Sequence, residues 1–279
     1  MLPSMYSGVS GLLTHQQRMN VIGNDIANVN TVGYKQSDVT FKEAFVNTLR
    51  SPTPGTPGQQ VGLGSQVGHI ARDFSGGPLM QTGLASNFAI SGDGFYVVSD
   101  PIGNQQFFSR AGDFVLDVDP ATNETYLITS EGKRLQGVMG GPPAPDLNGL
   151  GLGDMQDIVL PPDTTDYSVG FDGILYVSVA GAPAEAMGRV ALASFDNPGG
   201  LQAIGSNLYE ETAAASLRAF TNPGENGLGQ VFQGYLENSN VDLAREFTDM
   251  IITQRGFQAN SRTISTSDDM LQELLTLKR

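Results

Sequence analysis

The chain has 279 residues, includes 35 glycines, and contains neither cysteine nor tryptophan, which excludes disulfides and thiolate metal sites. Residues 36–240 hold the whole formal net charge of -14, because the two ends carry +1 and -1. This acidity argues against a nucleic-acid partner, whose phosphate backbone it would repel. We expect no membrane insertion, since no run of 18 residues is apolar, and no cleaved signal peptide, since Arg18 is the first full positive charge.

The first predicted element is an N-terminal helix with a narrow apolar stripe. A seven-residue apolar period is typical of a helix that packs lengthwise against another helix, and here it comprises Met5, Leu12, Met19 and Ile26. Asn28 and Gly33 favour a helix end, because both tolerate left-handed backbone. We therefore predict the first part of a helical domain over residues 1–34.

Residues 35–74 are predicted to form an extended connector. The stretch Ser51-Pro-Thr-Pro-Gly-Thr-Pro-Gly58 has three prolines and two glycines, and it can neither hold a helix nor pair inside a sheet. The glycines that follow, at positions 62, 64 and 68, lack the Lys-Ser/Thr and the helix of a phosphate-binding loop.

A β-rich domain is predicted over residues 75–227. Its short segments are rich in aromatic and β-branched residues and are separated by glycine turns, which is typical of a small sandwich or an irregular barrel. Asp172-Gly173 is the strongest hairpin signal and predicts a type I′ turn. Residues 140–153, rich in glycine and proline, predict a flexible excursion within this domain.

The C-terminal part, residues 228–279, is predicted to be a second long helix. From Leu243 to Leu275 it has no proline and one glycine, which gives a rod of about 50 Å. Ser239 or Asn240 is the expected N-cap. Its apolar stripe again has a seven-residue period and consists of Leu243, Met250, Phe257, Ile264 and Leu271.

The fold class that follows is α+β. We predict an all-β central domain whose long N- and C-terminal helices pair with each other as an antiparallel, coiled-coil-like layer. The end helices are almost neutral, and their stripes would leave apolar strips bare on a monomer, which marks a partner surface. The nine stripe residues are therefore the candidate residues for subunit assembly.

No credible catalytic, cofactor-binding or metal site is apparent, and we predict that the protein is not an enzyme. His15 and His69 have no ligand partners at helical spacing, so both are expected to be exposed. Asp117 and Asp119 resemble the start of a calcium loop but lack its glycine and its final glutamate. Two other classes stay open, a surface-binding β-domain active within residues 75–225 and a hydrolase with a perturbed acid–base pair.

Both ends of the chain resemble the bacterial flagellar rod and hook axial proteins. The N-terminal match is Asn20-Val-Ile-Gly-Asn-Asp-Ile-Ala-Asn-Val-Asn-Thr-Val-Gly-Tyr-Lys35, with Asp25 where Asn is usual. The C-terminal match begins at Gly234-Tyr-Leu-Glu-Asn-Ser-Asn240, and Ser109-Arg-Ala-Gly-Asp-Phe114 matches more loosely. The residues taken as the family signature are Asn24, Ala27, Asn28, Gly33, Asn240, Gln254 and Arg255.

The resemblance implies a structural subunit of the flagellar hook, which self-assembles into a helical tube and couples the rod flexibly to the filament. A distal rod subunit of the basal body is the alternative, because it has a similar length and both signatures. The implied partners are other copies of the chain, the rod and hook–filament junction proteins, the hook cap and the flagellar export apparatus. The implied location is the extracellular hook or the basal-body rod, and no cofactor is implied.

Overall fold

The computed structural model describes residues 2–277 with gaps at 52–56, 102, 104, 121–123, 142–145, 148–150, 180–182 and 226. The centre of the predicted proline-rich connector and half of the predicted excursion at 140–153 lie outside the described residues. The chain divides into two compact units. The helical unit comprises Met1–Asn28, Gln36–Asp73 and Val241–Arg279, and the β unit comprises Val29–Lys35 and Phe74–Asn240.

The helical unit contains both long helices and four strands. They are α1 (Leu2–Ala27), β1 (Ser37–Glu43), β2 (Val46–Arg50), β3 (Gln59–Gly62), β4 (Ser65–Arg72) and α2 (Leu243–Leu277). The segment predicted as a connector thus differs from expectation, because β1 pairs with β4 and β2 pairs with β3, both antiparallel. Pairing satisfies the backbone polar groups of a segment that buries little beyond Val39.

The helix ends follow the expected chemistry with one correction. α1 stops at Ala27, and Gly33 has the left-handed φ of +68° that its position after the helix predicted. The N-cap of α2 is Asp242, which replaces the predicted Ser239 or Asn240. Its carboxylate accepts hydrogen bonds from the backbone N–H of Ala244 at 2.9 Å and of Arg245 at 3.4 Å.

The β unit contains the remaining strands, which are short. They are β5 (Leu79–Gln81), β6 (Phe88–Ser91), β7 (Phe95–Ser99), β8 (Gln106–Ser109), β9 (Val115–Val118), β10 (Thr125–Ile128), β11 (Arg134–Met139), β12 (Gln156–Asp157), β13 (Val159–Leu160), β14 (Thr164–Val169), β15 (Ile174–Val179), β16 (Glu185–Val190), β17 (Leu192–Phe195), β18 (Gln202–Gly205), β19 (Leu208–Glu210), β20 (Leu217–Thr221), β21 (Gln230–Gln233) and β22 (Tyr235–Glu237).

Among the described residues of this unit, fourteen strands form one sheet, with the main order β14-β15-β16-β11-β7-β8-β19-β18. β21 and β22 pair with β6 and β5, so the β unit continues past the predicted boundary at residue 227. The core includes Phe88, Tyr96, Leu135 and Phe220, each at most 1% exposed. The prediction of an all-β centre with two long end helices that pack together is confirmed.

The predicted hairpin at Asp172-Gly173 is confirmed, but the prediction of a type I′ turn is wrong. β14 and β15 pair antiparallel, and the N–H of Gly173 donates to the carbonyl of Gly170 at 2.9 Å. Gly173 has a φ of +74°. Asp172 does not have a positive φ, because the described non-glycine residues with positive φ are Ser206, Asn207 and Ser216. A type I′ turn needs positive φ at both central residues, and Asp172 does not supply it.

Neither described helix is long and apolar enough to cross a bilayer.

We predict that Leu135→Ala destabilises the β unit by about 2–5 kcal/mol, because it leaves a cavity in a close-packed core. Leu116→Ala is the matched control, since Leu116 is 43% exposed, and it should change the free energy of unfolding by no more than about 0.5 kcal/mol. Urea unfolding of the purified variants measures both values. Equal effects would contradict this placement of the core.

Candidate functional site

The two long helices of the helical unit run antiparallel to each other. The guanidinium of Arg18 lies 3.2 Å from the carboxylate of Asp249, and at the other end the hydroxyls of Ser4 and Ser267 are 3.5 Å apart. Residue numbers rise along α1 as they fall along α2, which is the predicted antiparallel pairing.

Glycine and small polar residues set the spacing between α1 and α2. A β-carbon on Gly11 would lie 2.5 Å from the amide nitrogen of Asn260, and one on Gly256 would lie 2.6 Å from the ring of His15. Two small polar residues of the helices are also buried, Thr14 at 4% and Thr253 at 0% exposure, and the hydroxyl of Thr14 lies 3.2 Å from that of Ser65 in β4. The close approach of the two backbones therefore depends on these glycines, and a stripe residue takes part in it, because a β-carbon on Gly8 would lie 3.0 Å from the side chain of Ile264.

The predicted stripe residues occupy a second, half-buried layer. Leu243 is 38% exposed, and half-burial is shared by Met5, Leu12, Met19, Ile26, Met250, Phe257, Ile264 and Leu271. Other apolar side chains of the pair are more exposed, namely Tyr6, Val9, Leu13, Phe247, Ile251 and Ile252 at 45–70%. Exposed apolar rows of this extent are typical of an association surface.

Two carboxylates are buried within the helical unit, one on each helix. Asp25 is 0% and Glu246 is 3% exposed. Asp25 accepts a hydrogen bond from the backbone N–H of Ser37 at 3.3 Å, and Glu246 accepts one from the amide of Gln36 at 2.6 Å. The residues that follow α1 thus hydrogen-bond to a carboxylate of each helix.

Burial raises the pKa of Glu246, and the negative charges of Asp25 and Asp249 raise it further. The positive charges of Arg245 and Arg18 act in the opposite direction and are outweighed. A carboxyl group with a raised folded-state pKa binds a proton more tightly in the folded state than in the unfolded state. Its contribution to stability therefore declines as the pH rises above its ordinary value of about 4.5.

In the β unit, one buried carboxylate bridges two buried cations. Glu237 is 1% exposed, and its carboxylate lies 2.8 Å from the ammonium of Lys35 and 2.6 Å from Nε of Arg110. The other donors of Arg110 bond to the carbonyls of Gly92 and Gly94. We call Lys35, Arg110 and Glu237 the charge triad.

The charge triad joins segments that are far apart in the sequence. Lys35 also donates to the carbonyl of Ser75 at 2.7 Å, and Glu237 accepts from the N–H of Gly77 at 2.8 Å. Burial raises the pKa of Glu237, but the charges and hydrogen bonds of Arg110 and Lys35 outweigh burial and lower it overall. The carboxylate form is therefore the one that the fold stabilises.

The signature residues have local structural roles that differ from one another. Gly33 donates its N–H to the carbonyl of Glu237 at 2.8 Å, and a β-carbon there would lie 2.6 Å from the backbone of Ala111. Asn28 donates to the carbonyl of Asn24 at 2.9 Å, and Asn240 donates to the hydroxyl of Ser75 at 3.2 Å. Exposed positions are held by Ala27, Gln254 and Arg255.

Of the two histidines that were expected to be exposed, one is exposed and the other is half-buried. His69 is exposed and contacts the hydroxyl of Thr40 at 2.8 Å. His15 is half-buried and packs edge-on against Phe41 with ring centroids 5.5 Å apart, so the expectation that it is exposed was wrong. Its place beside Gly256 in the helix pair explains the burial. Within the described ranges, no group of three or more His, Cys, Asp or Glu side chains could hold a metal.

Sequence reasoning missed the charge triad and the buried carboxylates as features with a role. Each triad member does lie in a stretch quoted for the family resemblance, Lys35 at the end of the first, Arg110 in the middle one and Glu237 in the last. Their place inside these stretches is the signal that could have identified them.

Three family models match the chain. They are described as flagella basal body rod protein, at residues 5–35, flagellar hook protein FlgE/F/G D1 domain, at residues 89–177, and flagellar basal body rod FlgEFG protein C-terminal, at residues 233–277. The first covers most of α1, the last covers all of α2, and the middle one lies within the β unit.

Several relatives match over their whole length. The flagellar basal-body rod protein FlgG of Bacillus subtilis is 40% identical over 286 positions, and that of Borreliella burgdorferi is 33% identical over 290, each covering all of both chains. The flagellar hook protein FlgE of Borreliella burgdorferi is 27% identical over 453 positions, also covering all of both chains. The hook protein FlgE2 of Helicobacter pylori matches 72% of this chain with a TM-score of 0.23, which is too low to compare folds.

We predict that Asp25→Asn stabilises the pairing of α1 and α2 at pH 7. Asparagine keeps an oxygen that can accept from Ser37 but removes a charge that opposes ionisation of Glu246. Hydrogen exchange should slow in both helices, and the pH dependence of exchange above 4.5 should weaken. Asp249→Asn is the comparison variant, because it also removes a charge that raises the pKa of Glu246 but breaks the partly exposed pair with Arg18, so its gain should be smaller.

We predict that Glu237→Gln destabilises the β unit by about 3–5 kcal/mol, because it leaves two buried cations without their anion. Asp100→Asn is the control, since Asp100 pairs with Lys133 at the same 2.8 Å but is 34% exposed, and it should cost less than about 1 kcal/mol. Because the pKa of Glu237 is lowered in the folded state, the stabilisation that its carboxylate provides is present above about pH 4.5 and declines as the pH falls further. A wild-type and a Glu237→Gln unfolding profile with equal acid sensitivity would contradict this role.

Proposed function

Because the chain belongs to the family of flagellar rod and hook axial proteins, we propose that it is a structural subunit of the distal rod of the basal body. In this role many copies associate into a helical tube through their paired end helices. The observation that carries the proposal is the antiparallel α1–α2 pair, whose apolar rows are left exposed on a single copy.

The charge distribution supports self-association through the helical end segments. The ends of the chain carry +1 and -1, whereas residues 36–240 carry -14. Nearly neutral helices can pack against copies of themselves without repulsion, while an acidic exterior keeps the assembly soluble. Contacts between unlike surfaces repeat without closing and give an open helical polymer.

The preference for rod over hook rests on the length of the relatives. The rod protein of Bacillus subtilis aligns over 286 positions with the 279 residues of this chain, so few positions lack a counterpart. The hook protein of Borreliella burgdorferi needs 453 positions, which leaves 174 without a residue in this chain.

The second candidate is a hook subunit, which is the function that the sequence resemblance implied. It is favoured by the hook relative that covers the whole chain and by the family model named for the hook protein D1 domain. The two candidates share the same assembly surface and differ in the mechanical task, a stiff drive shaft for the rod and a bent coupling for the hook.

The proposal extends to partners and location. The flagellar export apparatus would deliver the chain, and the polymer would meet rod or hook–filament junction proteins and, in the hook, the hook cap. The role is mechanical and needs no catalytic residue or cofactor, and the family is a structural component of the flagellum.

Electron microscopy of basal bodies from a deletion strain tests the proposal. Loss of the distal rod, restored by the full chain on a plasmid, is the expected result. Complete rods that lack hooks would favour the hook candidate instead. Normal flagella in the deletion strain would overturn both.

We predict that Phe257→Asp abolishes motility and tube growth while the β unit stays folded. Phe257 is at the middle of the α2 stripe and is half-buried on one copy. Its further burial in the polymer contributes roughly 1.5–3 kcal/mol per subunit. A carboxylate at this position would instead be buried without a partner. Gln254→Ala and Ser261→Ala, at exposed positions, should be much milder. Swimming assays rank the three variants, and equal defects would count against the stripe.

A further inference from the structure

A groove without charged residues runs along α1 in the helical unit. It is formed between α1 and strand β4 and has a volume of about 740 Å³. Its lining has four apolar residues, Leu13, Ala44, Val67 and Ile70, and seven uncharged polar residues that include Gln16 and Asn20. Leu13 is 62% and Ile70 is 46% exposed. The lining carries no Lys, Arg, Asp or Glu in a chain whose net charge is -14, so it fits an apolar segment better than a charged one.

The last two turns of α2 form an apolar ridge. Met270, Leu274 and Leu277 recur at helical spacing and are 49%, 52% and 81% exposed, and Leu275 beside them is 70% exposed. The Ser4–Ser267 contact lies near the start of α1, and the ridge follows Ser267 on α2. Positions i, i+4 and i+7 are the anchors with which an amphipathic helix enters a groove.

We propose that the apolar ridge at the end of α2 in one copy docks into the groove between α1 and β4 of the next copy. The proposal rests on the proposed function and specifies the contact by which the polymer grows. The groove has no charged lining residue, and the four apolar side chains of the ridge are uncharged. Asp268 and Asp269 lie off the ridge, whereas Glu273, three residues after Met270, lies at its edge.

The contact has to form between copies and not within one chain. Contacts of Gly11 with Asn260 and of His15 with Gly256 place Leu13 level with residue 258 of α2. Leu274 is sixteen residues further along, which is about 24 Å of helix. Ridge and groove are also different surfaces of the same unit, so their contact is head-to-tail and repeats without closing.

Cysteine cross-linking tests the proposal directly, because the chain has no cysteine of its own. A disulfide forms only when two Cα atoms are within about 7 Å. In basal bodies whose only copy is the Leu13→Cys, Leu274→Cys variant, mild oxidation should give a ladder of linked chains on a non-reducing gel. A mixture of the two single variants should stop at dimers.

Two matched pairs control for general proximity. Tyr6→Cys with Leu274→Cys moves one thiol two turns along α1, and Leu13→Cys with Phe247→Cys moves the other to the far end of α2. All four positions are exposed, and neither control pair is expected to cross-link. Ladders from a control pair and none from Leu13 with Leu274 would overturn the proposed contact.

A charge substitution gives a second, independent measurement. Leu274→Asp should stop polymer growth and leave the Tm of the monomer unchanged, because the side chain is exposed on one copy. Polymers that grow normally from this variant would overturn the docking proposal while leaving the proposed rod function intact. A wild-type chain that never enters the basal body would overturn both.

Discussion

The charge triad is the constraint on which the β unit depends, because it fixes where the chain enters and leaves that unit. Lys35 ends the unit's first segment, Glu237 lies close to the end of its last, and Arg110 anchors both to the turn around Gly92. A buried ion pair adds little stability compared with apolar side chains of the same volume, but removing one partner is costly. The triad therefore specifies one arrangement of distant segments more than it strengthens the fold.

The helical unit has no comparable set of buried ion pairs among its described residues. Its two helices approach closely at glycines such as Gly8 and Gly11, and many apolar side chains of the pair stay half-exposed or exposed. Long helices in water gain most of their stability from the packing of an apolar face. In a single copy the stripes of α1 and α2 are only half-buried, so much of the available burial is left for contacts between copies. This arrangement suits a chain that must associate after it folds.

The sequence predicted what periodicity and turn chemistry determine. Both helices, the end of α1 after Ala27 and the hairpin at Gly173 follow from such local signals. The hairpins within 35–74 and the burial of His15 did not, because they depend on partners distant in sequence, such as β4 for β1 and Gly256 for His15.

The two buried glutamates give the two units opposite responses to pH. Glu237 has a lowered pKa because its cations outweigh burial, so protonation below about 4.5 weakens the β unit. Glu246 has a raised pKa because burial and Asp25 outweigh Arg245 and Arg18, so ionisation above about 4.5 weakens the helical unit. As the pH rises above about 4.5, Glu237 therefore keeps its ion pairs in the β unit, whereas the stabilisation that protonated Glu246 gives the helical unit declines.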